Sequence, residues 1–231
     1  MRRKEKTHYV IVLDQSGSMD GIKNTVISSF NEQLQSLQKQ SKEMDIEVTL
    51  SVFNDTTTLL NLSSKIGDIK KLNNKNYRPD SLTALYDAIM ITYNKMKHNI
   101  EKNDHFVALV LTDGMENSSK EYNNKDVQRL IKKVENRGGV FNFLCSDIDV
   151  NHYAESLDHQ IDSNLCFFAK SFDVDLEEKL NDVTESVLNV GKQKSKSSDD
   201  TNIIDTLMGS EVGPRKDFII SRALEVSNLD I

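Results

Sequence analysis

Asp14, Ser16 and Ser18 stand at alternate positions directly after the apolar run Tyr9-Val10-Ile11-Val12-Leu13. One carboxylate and two hydroxyls are thereby delivered together at the end of a segment whose β-branched content predicts a stiff, buried strand. Closely spaced oxygens of this kind suit a hard cation. Mg2+ is the first candidate, because it is commonly held by one or two carboxylates plus waters, and Mn2+ suits the same donors. Two further oxygen-bearing segments have the placement to join them. Thr83 opens a predicted helix after a long polar stretch, and Asp113 follows the apolar run His105 to Leu111. In a doubly wound sheet, ligands bind outside the carboxyl ends of the strands, where the connections diverge to opposite faces. If the two strands are neighbours, the five side chains meet at one point.

Other chemistries fit these residues less well. Asp14 and Ser18 read alone as a helix cap, satisfying free amide groups without any metal, but a cap needs neither Thr83 nor Asp113. A serine nucleophile needs a base, and none of the five His lies in the three site segments. Gly17-Ser18 and Gly114 make no phosphate-cradling loop with a Lys. A haloacid-dehalogenase-like phosphatase would need a second Asp where Ser16 stands. His152 and His159 with Cys145 match no common zinc spacing. Glu116, Asn117, Asp147 and Asp149 fall on loops expected at the same edge, where they are candidates for tuning partner choice.

The elements that must position the five oxygens follow from periodicity. Short apolar runs alternate with longer amphipathic ones, the pattern of a mostly parallel sheet covered by helices on both faces. Strands are predicted over 8–13, 46–53, 105–111, 140–145 and 164–168, with 57–62 returning as an antiparallel edge strand. Ile22, Val26, Ile27, Phe30, Leu34 and Leu37 predict a helix over 21–41. Leu85, Ile89, Tyr93, Met96 and Ile100 mark the buried face of a second helix, with Ser81 or Thr83 as its cap. Val127, Leu130, Ile131 and Val134 mark a third, ended by Gly138-Gly139. A short helical segment is expected near 152–157, and Val174 to Val190 closes the domain.

With these elements in place the chain resembles the von Willebrand factor A domain family, in its small intracellular microbial form. The resemblance rests on Asp14-Gln15-Ser16-Gly17-Ser18, then Ser81-Leu82-Thr83-Ala84-Leu85, then Leu111-Thr112-Asp113-Gly114, all in order. It extends over about 8 to 190 and includes the Ser51-Val52-Phe53-Asn54-Asp55 turn. It implies an α/β, Rossmann-like doubly wound sheet of about six strands with one antiparallel edge strand. It also implies an intact metal-ion-dependent adhesion site. There Ser16, Ser18 and Thr83 would ligate Mg2+ directly, Asp14 and Asp113 directly or through water, and a partner protein would supply an Asp or Glu carboxylate. Such domains serve as non-catalytic adaptors in larger assemblies, among them ATPase-linked, stress and defence systems. An Mg2+-dependent hydrolase or phosphotransferase is the alternative, and a nucleic-acid-binding module the second.

Composition bounds these readings. A hydrophobic content of 37% with 28% charged residues describes a globular chain. The formal charge of −7 disfavours phosphate neutralisation, although Lys65, Lys70, Lys71, Lys75 and Arg78 make a basic loop and Lys192 to Lys196 a second patch. Only about five apolar residues follow the basic start before Asp14, too few for a secretory h-region, and no stretch reaches the length of a membrane span. Cys145 and Cys166 read as reduced thiols. The expected compartment is therefore cytoplasmic. The organisation expected is a lead-in over 1–7, a domain over 8–190, a flexible linker over 191–201, and a tail over 202–231. The tail's short helical segments would dock on the domain or on a partner.

Overall fold

The computed structural model describes residues 5–42, 44–146, 166–169 and 172–193. Among the described residues six strands form one sheet: β1 (Thr7–Asp14), β2 (Ile46–Phe53), β3 (Thr57–Lys65), β4 (His105–Thr112), β5 (Val140–Ser146) and β6 (Cys166–Ala169). Their order across the sheet is β3-β2-β1-β4-β5-β6. All neighbours run parallel except β3, which returns antiparallel to β2 after the Asn54-Asp55 turn. The fold is thus the doubly wound, mostly parallel sheet with one antiparallel edge strand that the alternating runs predict.

Strand periodicity divides the core in two. Side chains alternate across a strand, so Tyr9, Ile11 and Leu13 of β1 face one layer while Val10 and Val12 face the other. The first layer is closed by α1 (Lys23–Gln40), through Val26, Phe30, Leu34 and Leu37, and by α4 (Phe172–Gln193), through Leu176, Leu180, Val183 and Val187. The second is closed by α2 (Leu85–Met96) and α3 (Asn124–Glu135), which bury Leu85, Ala88, Ile89, Val127, Leu130 and Ile131. Each such side chain contributes roughly 1.5–3 kcal/mol on full burial. Two sandwiched layers therefore fix the sheet edge rigidly.

The helix ends show what the periodicity leaves out. α3 starts with a reciprocal capping box between Asn123 and Asp126. It ends at Glu135, and the chain turns away at Gly138, whose φ of +75° suits only glycine at little cost, while a Cβ on Gly139 would lie 2.6 Å from Val134 Cγ1. α2 departs from expectation, because neither Ser81 nor Thr83 caps it. Its N-cap position is Ala84, with no side-chain bond of its own. Instead Glu116 Oε2 accepts from Tyr86 N–H at 3.0 Å and Ser119 Oγ from Asp87 N–H at 3.1 Å. Thr83 is turned elsewhere, and Ser81, at φ +69°, lacks the extended backbone of a capping residue.

β1 and β4 are neighbours, with Leu13 opposite Leu111. Asp14 and Asp113 thus leave adjacent strands at the same edge, where α1 and α2 depart to opposite faces. Among the described residues, no helix is long and apolar enough to cross a membrane. The expected segment near 152–157, the histidines 152 and 159, Asp147, Asp149 and the tail lie outside the described residues. So does most of the expected linker, although α4 runs on to Gln193.

Candidate metal centre

The Asp14 segment leaves β1 as a single 3-10 turn, Gly17–Ile22, pinned to the core by the buried Met19. Ser16 takes the N-cap position of that turn without using its hydroxyl as a cap. Asp14 Oδ1 accepts from Ser16 N–H at 2.7 Å, and its Oδ2 accepts from Thr112 Oγ1 at 2.5 Å. The Asp14 carboxylate is therefore buried and fixed from two sides, with lone pairs still free. Ser16 and Ser18 hydroxyls lie 3.1 Å apart, and Ser18 Oγ donates to Asp113 Oδ1 at 2.6 Å.

Thr83 joins them from the other side. A Cβ built on Gly114 would sit 3.0 Å from Thr83 Oγ1 and 3.5 Å from Ser18 Oγ. The hydroxyls of Thr83 and Ser18 thus face the space beside the Gly114 backbone that only glycine leaves open. Asp14, Ser16 and Thr83 are buried at its floor, while Ser18 is exposed and Asp113 half-exposed at its mouth. The cap reading of Asp14 and Ser18 does not describe this arrangement: the N-cap position of α1 is Ile22, with no side-chain cap, and Ser18 bonds across to Asp113.

Electrostatics point the same way. Burial pushes the Asp14 carboxyl up to about 6, partly offset by the Thr112 and Ser16 hydrogen bonds and reinforced by the nearby Asp113 charge. Burial likewise raises Asp113, against the Ser18 hydrogen bond. Two carboxylates held together with neutral hydroxyls call for a positive charge between them. The donor set is all oxygen, which suits Mg2+ or Mn2+ by hardness. Among the described residues no group of three or more His, Cys, Asp or Glu is placed to hold a metal. The hydroxyls are what distinguishes this cluster.

Several positioning residues carry no motif. Thr112 anchors Asp14 and also accepts from Gly114 N–H at 3.1 Å. Tyr77 is wholly buried and donates its hydroxyl to the Asp14 carbonyl at 2.6 Å; its only mark in the sequence is to be the one aromatic between Ser63 and Ser81. Backbone bonds tie the Asp14 and Thr83 segments to each other and to the end of β2: Gln15 N–H to Phe53 O, Gly17 N–H to Ser81 O and Ala84 N–H to Asn54 O. Glu116 and Asn117, expected as tuners of partner choice, have structural engagements. Glu116 accepts from Ser118 N–H, Ser119 N–H, Ser119 Oγ and Tyr86 N–H. Asn117 Oδ1 accepts from Thr83 N–H at 2.9 Å. The buried Asp87 completes this loop by accepting from the amides of Lys120, Glu121 and Tyr122.

Comparisons with known proteins bear on the fold that carries this site. The model of the von Willebrand factor type A domain matches residues 9–185. No curated protein matches the chain. Among solved structures, the pilus adhesin SpaC from Lactobacillus rhamnosus GG is similar at 16% identity and a TM-score of 0.63, covering 82% of this chain and 31% of the other. The vWF domain of the type V pili tip protein Mfa5 from Porphyromonas gingivalis is similar at 12% identity and a TM-score of 0.62, with 87% and 99% covered. Proximal thread matrix protein 1 from the mussel byssus, solved with a zinc occupied MIDAS motif, is similar at 14% identity and a TM-score of 0.57, with 80% and 46% covered. The chain spans less than half the length of the SpaC and byssus chains. At these identities the likeness is one of fold.

Proposed function

The chain belongs to the von Willebrand factor type A domain family, and on that premise we propose that Asp14, Ser16, Ser18, Thr83 and Asp113 hold a divalent cation through which it captures an acidic residue of a partner protein. Domains of this family generally mediate metal-dependent protein–protein interaction. The observation that carries the reading is the space beside Gly114, faced by the Thr83 and Ser18 hydroxyls and joined through Ser18 to Asp113 and Ser16. We assign Mg2+ to it, with Mn2+ as a substitute, on the hardness of the donors.

A bound dication would supply a positive point charge with a coordination position open to the outside. The residues' own part is to hold that charge without quenching it. Asp14 and Asp113 balance it, whereas the hydroxyls of Ser16, Ser18 and Thr83 add ligands and no charge, so an incoming carboxylate is still attracted at short range. Thr112 and the Ser16 amide keep Asp14 from rotating. The partner's Asp or Glu would enter past Ser18 and Asp113.

Among the described residues, the placement of the histidines supports a non-catalytic role: His8 and His105 lie at the starts of β1 and β4 and His98 follows α2, all toward the opposite edge of the sheet. We place the chain in the cytoplasm, as an adaptor within a larger assembly. The basic loop Lys65, Lys70, Lys71, Lys75 and Arg78 is an exposed, solvated face.

Calorimetric titration with Mg2+ and Mn2+, beside affinity capture in Mg2+ or EDTA, tests the proposal. The wild type should bind metal and retain partners only in its presence, and Asp14→Ala should do neither while staying folded. A partner set unchanged by EDTA and by Asp14→Ala would overturn it.

A further inference from the structure

Among the described residues, three large apolar side chains are strongly exposed: Leu62 at 45%, Leu82 at 54% and Met115 at 44%. Single exposed apolar residues are ordinary, and Leu62, on the edge strand β3, needs no explanation. Leu82 and Met115 differ in where they stand. Leu82 precedes Thr83 and Met115 follows Gly114, so each Cα is about 3.8 Å from that of a residue lining the metal space. They come from separate segments that meet at the site, where Thr83 Oγ1 lies 3.0 Å from a Cβ built on Gly114.

Both are also held on fixed backbone. The Leu82 segment is tied by Gly17 N–H to Ser81 O at 3.0 Å and Ala84 N–H to Asn54 O at 2.8 Å. The Met115 segment is tied by the bonds of Thr112, Glu116 and Asn117. A surface that is already ordered gains more from an apolar contact, because little further freedom is lost on binding.

Charge narrows the occupant. Residues 14–20, 78–84 and 111–117 carry Asp14, Asp20, Asp80, Asp113 and Glu116 against Arg78, with Lys23 and Lys120 the next cations along these segments. A dication offsets only part of this, so a run of several acidic residues would be repelled while one carboxylate reaching the metal would not. Resting on the function proposed above, we infer that Leu82 and Met115 form an apolar rim that selects a partner-protein segment in which a single Asp or Glu stands beside a bulky aliphatic or aromatic residue. The metal supplies the attraction for the carboxylate. The rim supplies the choice among carboxylates.

Panning random linear peptides on the immobilised 231-residue chain in millimolar Mg2+ tests this. The selected sequences should carry one Asp or Glu with Leu, Ile, Met or Phe within two positions, and EDTA should release them. A selected peptide should then bind the double variant Leu82→Ser, Met115→Ser about tenfold or more weakly. The variant's Mg2+ affinity and melting temperature should stay at wild-type values, since neither side chain belongs to the ligand set or the core. Acidic peptides without apolar neighbours, bound equally by the double variant, would overturn the rim and leave the metal-dependent function standing. Selected peptides without an acidic residue, and insensitive to EDTA, would overturn both.

Discussion

Asn117 grips the Thr83 peptide from both ends: its Oδ1 accepts from Thr83 N–H at 2.9 Å, and its own N–H donates to Thr83 O at 3.0 Å. The loop after β4 thereby holds a residue that reaches the site from the segment before α2. Asn117→Ala should cost about 1 kcal/mol of stability, because the side chain is exposed and water can replace its oxygen. Metal affinity should fall several-fold as Thr83 loosens. Asn117→Asp keeps the acceptor and should restore it. Titration calorimetry on the three proteins decides, and equal metal affinity in Asn117→Ala would remove Asn117 from a positioning role.

Gly114→Ala places a methyl 3.0 Å from Thr83 Oγ1. The fold should survive, since Thr83 need give way by only a few tenths of an ångström. Metal binding should not survive, because the methyl occupies the space between the ligands. Calorimetry should show affinity reduced at least tenfold, with a melting temperature near that of the wild type.

Asp14 gives the metal-free protein an unusual pH dependence. Its carboxyl is raised by burial to about 6, so between about pH 4 and about pH 6 the native state holds a proton that the unfolded chain has lost. Stability from this group is therefore greatest at low pH, falls as pH rises through that window, and then levels about 3 kcal/mol lower. Chemical denaturation in EDTA should show the wild type losing stability relative to Asp14→Asn across the window. Parallel profiles for the two proteins would contradict it.

Glu116→Ala removes the acceptor for four donors, Tyr86 N–H at the start of α2 and three from Ser118 and Ser119 in the loop after β4. A loss of roughly 2–3 kcal/mol is expected from the stranded groups and the uncapped helix, with Glu116→Gln recovering part of it. Thermal melting measures the difference. A change in partner capture without any loss of stability would instead assign Glu116 to the binding face.

Much of the architecture was legible because burial imposes period. The runs at Tyr9 to Leu13 and His105 to Leu111, with the stripes from Leu85 and Val127, give strand and helix identities that the structure bears out. The Thr-rich segment after Asn54 also gave the antiparallel strand. The start of α2 was not legible. Ser81 and Thr83 look like caps locally, but the cap comes from Glu116 and Ser119, about thirty positions away, and no local pattern encodes a partner at that separation.

The site divides along the same line. By itself the sequence determined the chemistry available: a carboxylate and two hydroxyls after one strand, a threonine before a helix, a carboxylate after another strand, and a glycine beside it. Residue type and short-range spacing are enough for that. Only the tertiary structure decided that β1 and β4 lie side by side, that Ser18 meets Asp113, and that Thr112, Tyr77 and Asn117 hold the ligands in place. Those contacts join residues from 34 to 98 positions apart, and such pairings are set by the packing of two core layers against one sheet.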